Sequence, residues 1–170
     1  MNIRPCTDAD LSVLCALWRT PGGVHERHYD RQRAGQTTYL VAWQDQEPLG
    51  SGVLQWGGCI GSNARTAYPQ AVELNHLQVR DLYRGQGVGS ALIAVAEALA
   101  SRAGRHQMAV GVAEDNPEAE RLYRRLGYRP TGVVDVSEYD WITAEGAARH
   151  ETERDQLLVK DLSPTSEQGR

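Results

Sequence analysis

The segment VELNHLQVRDLYRGQGVGSALIAVAEALA, residues 72–100, decides the fold of this chain. Val72–Val79 alternates apolar and polar residues, as a half-buried β-strand does. Arg84–Ser90 is a glycine-rich turn, and from Val88 to about Ala103 apolar residues recur at helical spacing. Such a turn between a strand and a helix binds anions, because backbone N–H groups and the positive end of the helix dipole point to one spot. We therefore expect a phosphate-bearing ligand.

Three phosphate-binding patterns compete for this turn. A P-loop is excluded because it requires a lysine in the turn, and the only lysine of the chain is Lys160. A dinucleotide fingerprint is disfavoured because Ser90 stands where the third glycine belongs and because the turn lies mid-chain. The third pattern, [QR]-x-x-G-x-[GA], is filled by Arg84, Gly87 and Gly89. It resembles the pyrophosphate-binding turn of the GNAT superfamily of N-acetyltransferases, whose ligand is acetyl-CoA. A turn that only connects a strand to a helix is the alternative without a ligand.

A second motif further along the chain fits the same family. Asn116-Pro117-x-Ala119-x-x-x-Tyr123-x-x-x-Gly127-Tyr128 resembles the N-x-x-A-x-x-x-Y-x-x-x-G-[FY] segment of GNAT enzymes. Two motifs in the family's order are far more specific than either motif alone. The chain is therefore identified as a member of the GNAT superfamily, with a resemblance that covers roughly residues 2–162.

Composition and charge are those of an ordinary globular domain. The chain has 170 residues, 41% hydrophobic and 24% charged, with a net charge of −4. We expect one domain over residues 1–162 and a disordered tail over residues 163–170. The acidic balance argues against nucleic acid as a partner. Without an apolar run of membrane-spanning length or a signal peptide, we expect no membrane association and a cytoplasmic location. The spacing of Cys6, Cys15 and Cys59 indicates neither a disulfide framework nor a metal site.

The periodicities predict the element order β-α-α-β-β-β-α-β-α-β-β. This order implies an α+β fold with a central, mixed and mostly antiparallel sheet flanked by helices on both faces, a three-layer sandwich. Gly57–Gln70 is predicted as a polar loop, and Thr143–Glu153 as a long hairpin connection between the last two strands. The pair His25-x-x-His28 lacks further metal ligands nearby, so we expect both histidines to face solvent.

The GNAT resemblance implies a cofactor site. Backbone groups of Leu77, Gln78 and Val79 would pair with the pantetheine arm of acetyl-CoA. Asn116 and Tyr123 would lie near its thiol end, and a homodimer is compatible with the family. The residues implied for the pyrophosphate are Arg84, Gly85, Gln86, Gly87, Val88, Gly89 and Ser90.

Amide formation sets requirements that point to catalytic residues. The attacking amine must be neutral, although a free alkylamine has a pKa near 10, so a base is needed. Glu73 is the predicted base, directly or through water, and strand alternation places it on one face with Asn75, Leu77 and Val79. Tyr123 is the predicted proton donor to the leaving thiolate, and the Val79 N–H the predicted oxyanion donor. The structural alternatives are a solvent-facing or ion-paired Glu73 and a Tyr123 ring that only fills the core.

The acceptor amine is not identified by the sequence. The first two helices and the last strands would form its side of the site, where carboxylates and aromatic rings suit a cation. Amino sugars, polyamines, amino acids and peptides all stay open as substrates, and a non-catalytic acyl-CoA sensor is the rival function. The acceptor candidates are His25, Glu26, His28, Tyr29, Asp30, Asp135, Glu138, Tyr139, Asp140 and Trp141.

Overall fold

The computed structural model describes residues 1–163 of the chain. Residues 164–170 of the predicted tail lie outside this range. Within it the elements are β1 (Asn2–Pro5), α1 (Asp8–Leu17), α2 (Val24–Arg33), β2 (Thr37–Gln44), β3 (Glu47–Gln55), α3 (Ser62–Ala67), β4 (Val72–Val79), α4 (Val88–Arg102), β5 (Gln107–Ala113), α5 (Pro117–Arg125), β6 (Arg129–Ile142) and β7 (Ala148–Asp161).

Seven strands within the described residues form one sheet with the order β1-β2-β3-β4-β5-β7-β6. Every neighbouring pair is antiparallel except β4 and β5, which run parallel. The helices lie on both faces, so the predicted mixed α+β sheet is confirmed. The sheet therefore combines antiparallel hairpins with two crossovers, one through α4 between β4 and β5 and one through α5 between β5 and β6.

The single parallel pair separates soon after it begins. Only Val72 pairs with Met108 and Glu73 with Ala109. Further along, β4 keeps its pairing with β3, and β5 keeps its pairing with β7. The sheet therefore opens between β4 and β5, next to the turn that leads into α4.

A bulge in β4 corrects one prediction from strand alternation. His76 has a φ of 50°, and the pairing of β4 with β3 shifts register at this point. Leu74 before the bulge and Leu77 after it both pack in the cluster under α4. Glu73, paired with Ala109, lies on the opposite face from Leu77. The predicted common face of Glu73 with Leu77 and Val79 is therefore wrong, because the extra residue reverses the alternation.

Apolar side chains fill both faces of the sheet. Leu92 and Ile93 of α4 are at most 1% exposed and pack with Tyr123 of α5 on one face. Burying each of these aliphatic side chains contributes about 1.5–3 kcal/mol. On the other face, α1 and α2 cover one end of the sheet and α3 covers a smaller cluster beside it. The splayed strands thus lie between two packed layers.

Two helix starts are fixed by local side-chain caps. Thr7 caps α1, and Asp10 completes a capping box by accepting a hydrogen bond from the Thr7 backbone N–H. Asn116 caps α5 by accepting a hydrogen bond from the Ala119 N–H at 3.1 Å, with Pro117 in the first turn.

The predicted loop over Gly57–Gln70 contains helix α3 instead. The carboxylate of Asp135, on β6, accepts hydrogen bonds from the backbone N–H groups of Asn63 and Ala64 at 2.8 and 3.0 Å. A Cβ at Gly61 would collide with that same carboxylate. The cap of α3 therefore comes from a distant strand, where no local sequence signal shows it.

The last two strands are longer than predicted. Their pairing continues to Ile142 and Ala148, so most of the predicted connection Thr143–Glu153 belongs to β7. Residues 148–154, the part of β7 before Asp155, have no pairing with β5, and most side chains of this ribbon are exposed. Residues 149–154 of β7 are all polar, so this half of the ribbon lacks the apolar alternation by which strands are recognised.

Candidate functional site

The opening between β4 and β5 is the mouth of a cleft of about 1110 Å³. Its walls come from the end of β4, the glycine-rich turn, the start of α4 and one side of α5. The lining residues are Trp18, Leu77, Gln78, Val79, Arg80, Asp81, Leu82, Tyr83, Arg84, Gly85, Gly87, Val88, Gly89, Ser90, Asn116, Glu118, Ala119, Arg121, Leu122, Tyr123 and Arg125. Every residue predicted to contact the cofactor lines this cleft except Gln86, whose side-chain amide donates to the Leu82 carbonyl at 3.2 Å.

The glycine-rich turn supplies unpaired backbone donors. Gly85 and Gly87 have φ values of 71° and 81°. Residues other than glycine rarely adopt this left-handed backbone conformation. Gly87 is the N-cap of α4, and the first backbone bond of that helix runs from the Ala91 N–H to the Gly87 carbonyl. The N–H groups of Val88, Gly89 and Ser90 therefore have no partner within the helix. They form an anion-binding cradle at its positive end.

Arginines surround this cradle. Arg84 in the turn is exposed and pairs with Asp81 at 3.0 Å. On the facing wall, Arg121 and Arg125 lie one helical turn apart on α5. The sequence reading missed both α5 arginines, although their spacing of four residues beside Tyr123 was a usable signal. Positive charge from two elements thus converges on the cleft that the glycine turn lines.

Tyr123 lines the cleft from α5. Its side chain is 6% exposed and its ring makes a T-shaped contact with Tyr128 at 5.4 Å. Burial raises the pKa of Tyr123 to about 12, so the hydroxyl is protonated at neutral pH. The ring therefore packs in the core while the residue also lines the cleft, and the two interpretations of Tyr123 are compatible.

Glu73 lies outside the cleft lining, on the opposite face of the sheet. Its carboxylate accepts hydrogen bonds from the Ile60 backbone N–H at 3.1 Å and the Asn75 side-chain amide at 3.2 Å. The residue is 6% exposed, and burial raises the pKa of the carboxyl although both hydrogen bonds oppose this. The Glu73 carboxylate is thus buried and held by two hydrogen bonds, and neither partner lines the cleft.

The predicted acceptor residues of α2 do not gather at one point. His25 is 2% exposed and His28 is half-buried, so the expectation of two solvent-facing histidines is wrong. Tyr29 is buried and donates to Asp8 at 2.8 Å, whereas Glu26 and Asp30 are exposed. The aromatic wall that α1 gives to the cleft is instead Trp18, which the sequence reading did not select.

The acceptor candidates on β6 do not gather at the cleft. One of them borders a separate acidic hollow, and another stabilises helix α3. Tyr139 borders a hollow of about 260 Å³ together with Asp115, Glu151 and Glu153. Burial and then the neighbouring carboxylates raise the pKa of Glu153. Of the remaining β6 candidates, Asp135 caps α3, Asp140 bonds to His150 at 2.7 Å, and Glu138 and Trp141 are exposed on the ribbon.

Residues 1–163 hold no group of three or more histidine, cysteine or carboxylate side chains arranged for a metal ion. None of the helices in this range has the length and apolar character needed to cross a membrane.

A sheet that opens beside a glycine-capped helix, with a tyrosine in the cleft lining, defines an acyltransferase fold of the acetyl-CoA-binding class. The chain belongs to the acetyltransferase (GNAT) family, whose model matches residues 10–128. No curated protein matches the sequence.

Solved structures share this fold at low identity. A ribosomal-protein-alanine N-acetyltransferase from Brucella melitensis is 21% identical, with a TM-score of 0.66 over 95% of this chain and 100% of that one. A GNAT superfamily phosphinothricin acetyltransferase from Sinorhizobium meliloti, in complex with acetyl-CoA, is 20% identical, with a TM-score of 0.65 over 98% and 94%. An aminoglycoside 6′-N-acetyltransferase complexed with coenzyme A is 15% identical, with a TM-score of 0.63 over 98% and 100%.

Proposed function

We propose that this protein is an N-acetyltransferase that transfers the acetyl group of acetyl-CoA to a primary amine of a small molecule or peptide. The observation that carries the proposal is the cleft beside the opening between β4 and β5, whose lining includes both the anion cradle and Tyr123. Family membership and the coenzymes bound to the structural neighbours support acetyl-CoA as the donor.

The cleft offers a place for each part of the donor. The pyrophosphate suits the N–H groups of Val88–Ser90 and the charge of Arg84, with Arg121 and Arg125 in reach of further phosphate. The pantetheine arm is amide-rich and suits the free edge of β4 at Leu77–Val79, where pairing with β5 has ended. This order brings the thioester toward Asn116 and Tyr123.

The reaction then needs three kinds of help. A backbone N–H, proposed at Val79, stabilises the oxyanion of the tetrahedral intermediate. The Tyr123 hydroxyl donates to the leaving sulfur, and its raised pKa keeps it protonated. Glu73 as proton acceptor stays a prediction, and because its buried carboxylate is held by the Asn75 amide, that role requires a bridging water.

The charge of the acceptor side favours a cationic amine. Glu151, Glu153 and Asp115 face one hollow together with the ring of Tyr139. Carboxylates and an aromatic face both attract an ammonium group. This hollow lies on the ribbon and on the loop before α5, next to Asn116 of the cleft lining.

The test is release of coenzyme A thiol from acetyl-CoA across a panel of amino sugars, polyamines, amino acids and peptide N-termini. We expect amine-dependent release and a product heavier by one acetyl group in mass spectrometry. Tight binding of acetyl-CoA without turnover on any amine would instead indicate a non-catalytic sensor of the same fold. Weak binding of acetyl-CoA would contradict both functions.

A further inference from the structure

Three histidines gather where α2 meets the bulge of β4. The rings of His28 and His76 lie 4.8 Å apart, and His28 also lies 5.1 Å from the ring of Tyr39. His25 contacts Tyr39 from the next turn of α2. The group lies on the sheet face opposite α4, which is the face left for an acceptor when the donor fills the cleft.

His25 has a structural role in this group. Its Nε2 lies 2.7 Å from the Trp18 carbonyl, which can only accept, so Nε2 carries the proton. Its Nδ1 lies 2.7 Å from the Tyr39 hydroxyl and accepts from it. Both nitrogens are therefore occupied, and the ring holds Trp18 at the mouth of the cleft.

His76 differs from His25 in its exposure to solvent and in the hydrogen bonding of its ring nitrogens. It is exposed, and within residues 1–163 its ring nitrogens take part in no hydrogen bond. It directly precedes Leu77, which lines the cleft, so their Cα atoms are about 3.8 Å apart. Its φ of 50° is uncommon for a residue other than glycine and is held by surrounding structure, a feature frequent at functional sites.

The surroundings keep His76 uncharged. The residue keeps contact with solvent, but the packing of its ring against α2 desolvates the imidazole and lowers its pKa, and Arg31 and Arg27 of α2 lower it further. The facing ring of His28 has a pKa lowered to about 4 by burial and by nearby His76, Arg31, His25 and Arg27. At neutral pH both imidazoles are therefore neutral, and His76 has a free lone pair beside the place where the thioester is expected.

We propose that His76 is the proton acceptor for the amine, and that the contact with His28 positions its ring. This inference rests on the proposed acetyltransferase function. The acceptor ammonium gives one proton to the imidazole, and the nitrogen lone pair then forms the C–N bond as the C–S bond breaks. The thiolate takes a proton from Tyr123, and the second amine proton leaves through solvent to restore that hydroxyl. His76 returns its own proton to solvent, so one proton is released per turnover.

Glu73 then has a positioning role. Its carboxylate holds the side-chain amide of Asn75, the residue before His76, and the backbone of Ile60. These contacts fix the strand immediately before the bulge. Glu73 is buried and His76 is exposed, so substitutions at the two positions can distinguish a positioning role from proton acceptance.

The test compares His76→Asn, His76→Gly and the control His106→Asn. Asparagine and glycine both tolerate a positive φ, so the bulge is kept. We expect His76→Asn to lower kcat/KM at least about 100-fold with unchanged acetyl-CoA affinity. Because the pKa of His76 is lowered from its usual value, we expect kcat/KM of the wild type to fall only below about pH 6.5, and this fall should be absent in His76→Asn. Free imidazole should restore the activity of His76→Gly, and the exposed His106→Asn should behave as wild type.

His28→Asn adds a readout for the second histidine. Removing the ring that partly buries His76 should move the acid limb of the pH profile to higher pH. A His76→Asn protein with wild-type kcat and pH profile would overturn the role of His76 and leave the proposed acetyltransferase function standing. A His76→Gly protein whose activity imidazole does not restore would have the same consequence. A wild-type protein without turnover on any amine would overturn the proposed function together with it.

Discussion

Tyr123→Phe separates the chemical role of this side chain from its packing role. Phenylalanine keeps the ring that is 6% exposed and contacts Tyr128 at 5.4 Å. Burial alone accounts for the raised pKa of the hydroxyl, with no hydrogen bond or charge contributing. Its removal therefore breaks no internal hydrogen bond, and we expect the free energy of unfolding to change by less than about 0.5 kcal/mol.

The expected effect on turnover is much larger. A positioned proton donor contributes about 10²–10⁴-fold to a rate. At 1.36 kcal/mol for each factor of ten, this corresponds to about 2.7–5.5 kcal/mol of transition-state stabilisation. The kcat of Tyr123→Phe for coenzyme A release should fall by that factor, while calorimetry shows unchanged binding of acetyl-CoA.

Tyr128→Phe is the matched control. The Tyr128 hydroxyl donates to the carboxylate of Glu97 at 2.9 Å, and Lys160 binds the same carboxylate. Losing a hydrogen bond to a charged group costs about 1.5–3 kcal/mol, which is about 3–12 °C in Tm for a chain of this size. Tyr128→Phe should thus lower Tm and leave kcat unchanged. A Tyr123→Phe protein that retains kcat within about twofold would refute Tyr123 as proton donor.

Three further predictions concern the cofactor turn, the α5 cap and the buried carboxyl. Arg84→Ala removes one exposed phosphate contact, so the KM for acetyl-CoA should rise about five- to tenfold at low salt and less at high salt; an unchanged KM would place the phosphates elsewhere. Asn116→Ala removes the cap of α5, and thermal denaturation should show a loss of about 1 kcal/mol that Asn116→Ser largely avoids. The folded-state pKa of Glu73 is raised, so its stabilising contribution is complete below the unfolded pKa and is lost as pH rises through the folded one. Urea denaturation of Glu73→Gln should lack that component of the pH dependence, and identical slopes in both proteins would argue against it.

Much of the fold and of the cofactor side of the site was predicted from patterns among residues close together in the chain. The alternation in Val72–Val79, the glycines after Arg84 and the cap at Asn116 each concern residues close together in the chain. Their structures follow from local backbone geometry, so a single sequence predicts them. The cofactor side of the site is built almost entirely from these segments, which is why all of its predicted residues except Gln86 line one cleft.

Features that depend on contacts between residues far apart in the chain could not be predicted from the sequence. Helix α3 is capped by Asp135, and the β6–β7 ribbon is stabilised by its own pairing rather than by apolar alternation. Arg121 and Arg125 become cleft residues only because α5 packs across the opening. The proposed acceptor side would combine α1, α2, β4 and the ribbon, so no short segment could identify its members.

The sequence by itself determined the family, the turn that suits phosphate and the tyrosine that lines the cleft, since each depends on residues within one segment. The tertiary structure alone decided which face of β4 each side chain occupies. The bulge at His76 reverses the alternation, buries Glu73 away from the cleft and brings His76 against His28. A bulge arises from the pairing of two strands, and that pairing is a property of the folded sheet.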